Sequence, residues 1–347
     1  MARLGPHTEL GVLGLDRFGG PLHSDRTQPQ DRGRVVIGGA GGFMGQFLTR
    51  RYRDAGREVI TIGRAGADLN WGDDTGIAGA VDGASLVIGL AGKSVNCRYT
   101  AANRAEILRS RTQTTEALSL AIAVAKNPPA LWVNSSTATI YRHAEDRAMT
   151  EESGDIGSGF SVEIARAWEA ALFAGELPGT RRVALRSAIV LGDGGVLGPL
   201  RTLTRIGLGG PQYDGWWPIS RARRAAGTAH LRGAGSGQQR FSWIHIEDVA
   251  RIIDFLEEHP LLEGPINASA PHPADTRNSM ASIGRGLGVR FGPPTPRWML
   301  ELGAIGIRTE TELVLKSRWV LPERLIDAGY EFTYPDLEPA LRASYSR

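Results

Sequence analysis

The sequence predicts an α/β fold, a doubly wound parallel sheet followed by a smaller C-terminal α/β cap. Three observations carry that expectation. A β-branched run, Arg34 to Gly38, feeds a glycine cluster and then an apolar-faced helix (RVVIGGAGGFMG, residues 34–45). Four further strand-like and helix-like segments alternate with one another up to residue 191, at the spacing that parallel crossovers require. Past Gly192 the alternation gives way to a basic stretch and then to short apolar segments broken by prolines.

Each element has its own signal. Gly39, Gly42 and Gly45 stand three apart: the first permits a tight turn, the second a close approach of backbone to a pyrophosphate, the third close packing of helix on strand. The helix that follows, residues 43–55, would aim its free N–H groups at phosphates, with Phe43 and Met44 in its first turn. Gly56 stops it, and residues 58–62 (EVITI) form a second strand. A site that prefers NAD carries Asp or Glu just beyond this strand, on the ribose 2′-OH. Here Gly63 and Arg64 hold the place, and a cation suits a 2′-phosphate, so NADP(H) is the expected cofactor; a solvated surface arginine is the common alternative. Asp68 and Leu69, at the tail of a short third strand, are placed beside the adenine. Residues 85–90 (SLVIGL) form a buried strand ending in Leu90, Ala91 and Gly92, small enough to line a ligand crevice.

A long helix is expected over residues 101–126, with Ile107, Leu108, Leu118, Ile122 and Ala125 on one face. Asn127-Pro128-Pro129 ends it. Strand 130–135 leads to the hydroxyls of Ser135, Ser136 and Thr137. Helix 160–174, carrying Trp168-Glu169, is followed by a single strand over residues 182–191. With these elements in place the glycine loop reads as part of a Rossmann-like fold. The expected organisation is a flexible leader, 1–32, then a dinucleotide-binding domain, 33–192, its sheet completed by parts of 240–270. A substrate and cap region follows, 193–347. Residues 211–240 hold Arg221, Arg223, Arg224 and Arg232 and are too long for an ordinary loop. They form a lid, an insertion or a partner surface, although charge runs are more often simply solvated.

Bulk composition narrows the function classes. A chain of 347 residues with net charge +3 gives no reason to expect nucleic-acid binding. The single cysteine, Cys97, excludes an intramolecular disulfide, and no Cys/His cluster suggests a metal. No apolar run approaches the roughly 20 residues that span a bilayer, and residues 1–32 lack a signal-peptide core. The expected location is cytoplasmic, and the chain is compatible with a homodimer.

The motifs together resemble the extended, or atypical, short-chain dehydrogenase/reductase superfamily. The nearer likeness is to its NAD(P)-dependent epimerase family branch, which has a small C-terminal domain of unknown function. The likeness runs over roughly residues 34–345. It rests on GGAGGFMG (38–45), LAG (90–92), Ser110-Arg111 to Thr115, TEESG (150–154), FSVEIARAWEAA (160–171) and LRSAIVLGDGGVL (185–197). It continues through GLGG (207–210), FSWIHIEDV (241–249), NASAPHP (267–273) and LPERLIDAGYEFTYPDL (321–337). The resemblance implies NADP(H) binding. It also marks an insertion of some twenty residues at 211–233, able to alter specificity or make an oligomer contact.

In the wider superfamily a Tyr and a Lys four residues apart run the chemistry, with a Ser or Thr at the end of the fifth strand orienting the substrate oxygen. Thr137 fits the last role. Registering the helix on Trp168-Glu169 puts Ser161 at the tyrosine position and Ala165 at the lysine position, and Arg111 replaces an asparagine of the preceding helix. An aliphatic hydroxyl is a far weaker acid than a phenol, and alanine carries no charge. Either other groups act or none does. Thr137 and Tyr141 are the first candidates. Lys93, Arg98, Arg109, Arg111 and His245 come next, each with a structural alternative. Two functions stay open: an NADP(H)-dependent epimerase or oxidoreductase acting on a polar, nucleotide-sugar-like substrate, and a non-catalytic NADP(H)-binding sensor or scaffold.

Overall fold

Period-2 burial along the strands builds the centre of the molecule. In a computed structural model, β1 (Arg34–Gly38) sends Val35 and Ile37 to one side and Val36 to the other. The structure describes residues 33–195, 197–198, 204–205, 209–230, 233, 237–289, 292–306 and 309–345. The expected leader, two residues of the GLGG motif and Arg232 lie outside them. The chain continues through α1 (Phe43–Asp54), β2 (Val59–Gly63), β3 (Leu69–Asn70), α2 (Asp74–Val81), β4 (Ala84–Gly89) and α3 (Ala101–Val124). Then come β5 (Leu131–Thr137), α4 (Phe160–Phe173), β6 (Arg181–Ser187) and β7 (Ile189–Leu191).

Beyond these lie β8 (Gln212–Tyr213), β9 (Arg240–Phe241), β10 (Trp243–His245), a helix Ile246–Glu258 and β11 (Gly264–Ala268). Seven strands form one parallel sheet in the order β11-β6-β5-β4-β1-β2-β3. Strand order reverses between β1 and β4, so a crevice opens at their C-terminal ends, where such sheets bind ligands. One face is covered by α1 and the helix Ile246–Glu258, the other by α2, α3 and α4.

Two expectations are corrected. The strand foreseen over residues 182–191 is two: at Ala188 the chain leaves the main sheet, with Ala188 N–H still bonded to Ala268 O, and β7 pairs instead with β10. Leu108 is 39 % exposed, not on the buried face. At about 100° per residue it falls off the stripe that Ile107, Thr115, Leu118 and Ile122 make. The helix after FSWIH begins at Ile246, capped by His245, whose Nδ1 accepts the Glu247 N–H at 3.2 Å. Past β11 the chain forms the helices Thr276–Gly286, Arg297–Gly306, Glu312–Leu315 and Leu337–Tyr345, with two-residue strands at Ala274–Asp275 and Thr295–Pro296. Among the described residues no helix is long and apolar enough to cross a membrane, and no group of His, Cys, Asp and Glu could hold a metal ion.

Candidate functional site

The crevice is built from the glycine turn outward. Gly39 has φ +85° and touches the end of β4 so closely that a Cβ would lie 2.7 Å from Ala91 N. A Cβ on Gly45 would lie 2.5 Å from Gly39 O, so the first turn of α1 packs directly on the loop. Gly42 is the N-cap and contributes no side-chain bond; the first turn carries no acid, and beside Gly41 there is open space. The helix N-terminus therefore keeps unsatisfied N–H groups and its positive end turned to the crevice. The Phe43 ring fits against a glycine-rich segment, with Gly192, Gly194 and Gly195 all within 3.4 Å by their virtual Cβ positions. Met44 is half-buried against the core beneath.

On the far side of β1, Arg64 is exposed just past β2 and its guanidinium has no partner among the described residues. Asp68 is engaged. Its carboxylate accepts Thr61 N–H at 2.9 Å and Thr61 Oγ1–H at 2.7 Å, which together hold it below the usual carboxylate range. It closes the loop between β2 and β3 and presents Leu69, half-buried, at the sheet edge. Across the crevice Leu90 N–H bonds Gly38 O at 2.8 Å, and Ala91 and Gly92 follow.

Arg111 lies over Gly92. It donates to Lys93 O at 2.9 Å and Ile107 O at 3.0 Å, and stacks on Trp168 at 4.9 Å. Burial without a carboxylate partner pulls its pKa down to about 10.

At the substrate side the candidates separate. Thr137 ends β5 half-buried, its Oγ1 accepting Thr139 N–H at 3.1 Å in the short turn that follows. Tyr141 is 1 % exposed and fully engaged: its hydroxyl donates to Asn267 Oδ1 and accepts from Arg186, both at 2.9 Å. Arg186 in turn makes a two-pronged bond to Glu169, which also accepts from Ser136 at 2.6 Å. This buried network joins β5, α4, β6 and β11. Burial raises the Tyr141 phenol pKa, opposed by Arg186.

Ser161 donates to Glu312 Oε2 at 3.0 Å, and Ala165 is sealed in the core. Arg98 bonds Thr309 O, Arg109 pairs with Glu106 on the surface, and Lys93 uses its backbone with Ser110 and Arg111. His245 caps its helix and packs at a tilt against the Tyr334 ring, centroids 4.2 Å apart.

Several groups near Ser161 carried no sequence signal. The Tyr99 phenol is pushed up to about 12, first by burial and then by Glu312, with Ser161 opposing. Lys316 donates Nζ to Thr139 O at 2.8 Å, and Arg318 donates Nε to Thr139 Oγ1 at 3.1 Å. A phenol, a carboxylate and two cations thus converge on the end of β5 from the β4–α3 loop and from the C-terminal region. Only the folded topology brings such distant positions together.

The basic stretch is only partly solvated. Arg223 pairs with Glu301 at 3.3 Å and Glu310 at 3.1 Å, both nearly inaccessible, whereas Arg221 and Arg224 are exposed. Asp214 joins it to the C-terminal region through Arg297 at 2.8 Å and folds the stretch on itself through His230 at 2.8 Å. Gly227 O accepts the Phe160 N–H at 2.9 Å, at the start of α4.

A parallel sheet with a glycine turn wedged at its strand-order reversal defines a protein of the dinucleotide-binding, extended short-chain dehydrogenase/reductase class. Residues 35–193 match the NAD dependent epimerase/dehydratase family, and residues 295–344 match a domain of unknown function, DUF1731. The epimerase family protein SDR39U1 of Bos taurus is 33% identical over 319 residues, 89% of this chain and 98% of its own. The crystal structure of human SDR39U1 (isoform 2) with NADPH superposes with a TM-score of 0.76 at 30% identity, covering 90% of this chain and 98% of that one. A nucleoside-diphosphate sugar epimerase from Corynebacterium glutamicum gives 0.63 at 25% identity, covering 90% and 58%. The chain belongs to this epimerase family.

Proposed function

We propose that the crevice between β1 and β4 binds NADP(H), and that the protein is an NADP(H)-dependent oxidoreductase or epimerase working without the usual Tyr-Lys pair. The observation that carries the cofactor is the glycine cradle: Gly39 admits no Cβ, and the first turn of α1 offers uncapped, acid-free N–H groups to open space. The relative solved with NADPH binds that cofactor on a superposable fold.

In this assignment Gly39, Gly42, Phe43, Met44 and Gly45 hold the pyrophosphate. Arg64 holds the 2′-phosphate, Asp68 and Leu69 flank the adenine, and Leu90, Ala91 and Gly92 line the path to the nicotinamide. Asp68 acts through its clamp on Thr61. Bound nicotinamide supplies or accepts a hydride at its C4. Thr137 turns its hydroxyl proton to the substrate oxygen: one lone pair accepts Thr139 N–H, which orients the group, and no described acceptor takes its proton. Tyr141 positions the loop behind it, because both bonding functions of its hydroxyl are taken inside the core.

A binding protein without turnover is the competing function, and one observation favours it: Ser161 is committed to Glu312 and Ala165 is buried. One set of titrations tests both parts. NADPH is expected to bind more tightly than NADH, and Arg64→Ala to lose roughly tenfold for NADPH alone, the scale of one charge-assisted phosphate contact. Equal affinities in the unaltered protein would sink the 2′-phosphate assignment. Consumption of bound NADPH by any member of a carbonyl panel, above background, would exclude a pure sensor.

A further inference from the structure

Between β7, β9 and the helix Thr276–Gly286 lies a cavity of about 60 Å³. Arg240, Lys316 and Arg318 line it, and no described lining residue is acidic. The Arg240 guanidinium stacks on Trp319 at 4.5 Å and makes no hydrogen bond or ion pair to a described residue. Lys316 and Arg318 spend donors only on a hydroxyl and backbone carbonyls: Thr139 O, Thr139 Oγ1, Leu313 O and Lys316 O. The carboxylate that acts on both is Glu312, and Ser161 already donates to it. Two buried cations, Lys316 and Arg318, therefore share one engaged carboxylate, and the half-buried Arg240 beside them has none among the described residues. Charge left uncompensated out of water is costly unless a counter-charge arrives.

We propose that this cavity is a subsite for one small oxyanion, a carboxylate or a single phosphate group carried by the substrate, with Lys316, Arg318 and Arg240 as its ligands. The volume is that of about two water molecules, enough for one such group and too small for a nucleoside diphosphate. Its position fits a substrate. Ile189, the first residue of β7, forms one wall, and two lining cations, Lys316 and Arg318, hydrogen-bond Thr139, two residues past Thr137. Placing the anion on a substrate rests on the cofactor assignment above; the anion site itself does not.

A protonation signature follows. Burial, and then Arg318, bring Lys316 down to about 8, with Glu312 opposing. Arg240 faces it from β9 as a further cation, and the helix Thr276–Gly286 contributes only the hydroxyls of Thr276 and Ser279. An anion binds the ammonium form, so for one whose own charge is fixed over this range, such as acetate, the affinity is level well below pH 8, halved at pH 8, and falls toward about tenfold per pH unit well above it.

The test follows thermal unfolding of the full chain with acetate or inorganic phosphate against chloride at constant ionic strength. It is run without NADPH and again with NADPH at saturation, which fills the cofactor's own phosphate sites. The expected result is a saturable stabilisation by one of the two anions, the better one distinguishing carboxylate from phosphate, its affinity weakened about fivefold between pH 8 and pH 9. Lys316→Met should abolish the response while unfolding at no lower temperature in chloride, because it deletes a buried charge. Arg240→Met, on the adjoining β9, should weaken the response about tenfold and serves if the first variant does not fold. No saturable response to either anion overturns the proposal, as does a response that survives both substitutions. Binding of uridine diphosphate a hundredfold tighter than phosphate, lost in Lys316→Met, overturns the single-anion size. Intact NADPH binding in the same samples assigns any failure to the subsite and not to the cofactor crevice.

Discussion

Gly39 shows how much one residue decides. Its φ of +85° is one that side chains with a Cβ rarely adopt, and the atom it lacks would strike the backbone of Ala91. Both penalties fall on one substitution. Gly39→Ala has to bear the left-handed backbone, about 1–3 kcal/mol, and to separate the ends of β1 and β4. A loss of about 2 kcal/mol or more in urea unfolding, with NADPH affinity reduced at least tenfold, is the expected outcome. Wild-type NADPH affinity in this variant would show that the turn is not the cofactor cradle. Gly42 differs, since its virtual Cβ meets only Gly39 O at an ordinary 3.5 Å. Equal spacing of the three glycines was legible in the sequence; the unequal room around them was not, because it depends on how closely β4 approaches.

At the level of elements, the network through Ser136, Glu169, Arg186, Tyr141 and Asn267 explains why several of the family's sequence landmarks occur together. Each supplies one member of a buried chain of hydrogen bonds tying α4 to β5, β6 and β11. Tyr141→Phe removes one hydroxyl and leaves Asn267 and Arg186 each short of a partner. The expected cost is about 1–3 kcal/mol in chemical denaturation, with NADPH affinity unchanged. Unchanged stability would mean that the network is dispensable.

The sequence order of strands and helices was readable here because each amphipathic period is local. The break at Ala188 was not readable: residues 182–191 are uniformly strand-like, and only the competing pairing with β10 splits them. For the same reason Tyr141 looked like a candidate acid from its place after Thr137, while its partners Asn267 and Arg186 come from other strands.

On the scale of the whole molecule, the basic stretch at residues 211–240 reads as a solvated run until its partners are known. Asp214 supplies the key, accepting from Arg297, His230 and the Gly233 backbone while wholly inaccessible. Arg223 adds Glu301 and Glu310, and Glu310 also accepts Tyr99 N–H at 3.0 Å. The stretch is thereby fixed to the C-terminal region and, through Gly227, to the start of α4, so it forms a wall beside Ser161. None of these pairings has a sequence spacing that announces it.

The electrostatics predict how the wall comes loose. Hydrogen bonds from His230, Gly233 and Arg297 outweigh the burial that would raise the Asp214 carboxyl, and bring it to about 2. A carboxyl held below its unfolded value stabilises fully above that value and loses its contribution as pH falls toward the folded one. The window is therefore about pH 4 to pH 2, and the contribution at neutral pH is about 2 kcal/mol. Asp214→Asn should unfold more easily than the wild type at pH 6, and the two should converge as pH drops to 2. Trypsin should reach the exposed Arg221 and Arg224 sooner in the variant at neutral pH, because the segment carrying them has lost its buried anchor. A stability gap that stays constant from pH 6 to pH 2 would exclude Asp214 as the titrating anchor. Unchanged cleavage at neutral pH would mean that Arg223 and its two glutamates hold the wall by themselves.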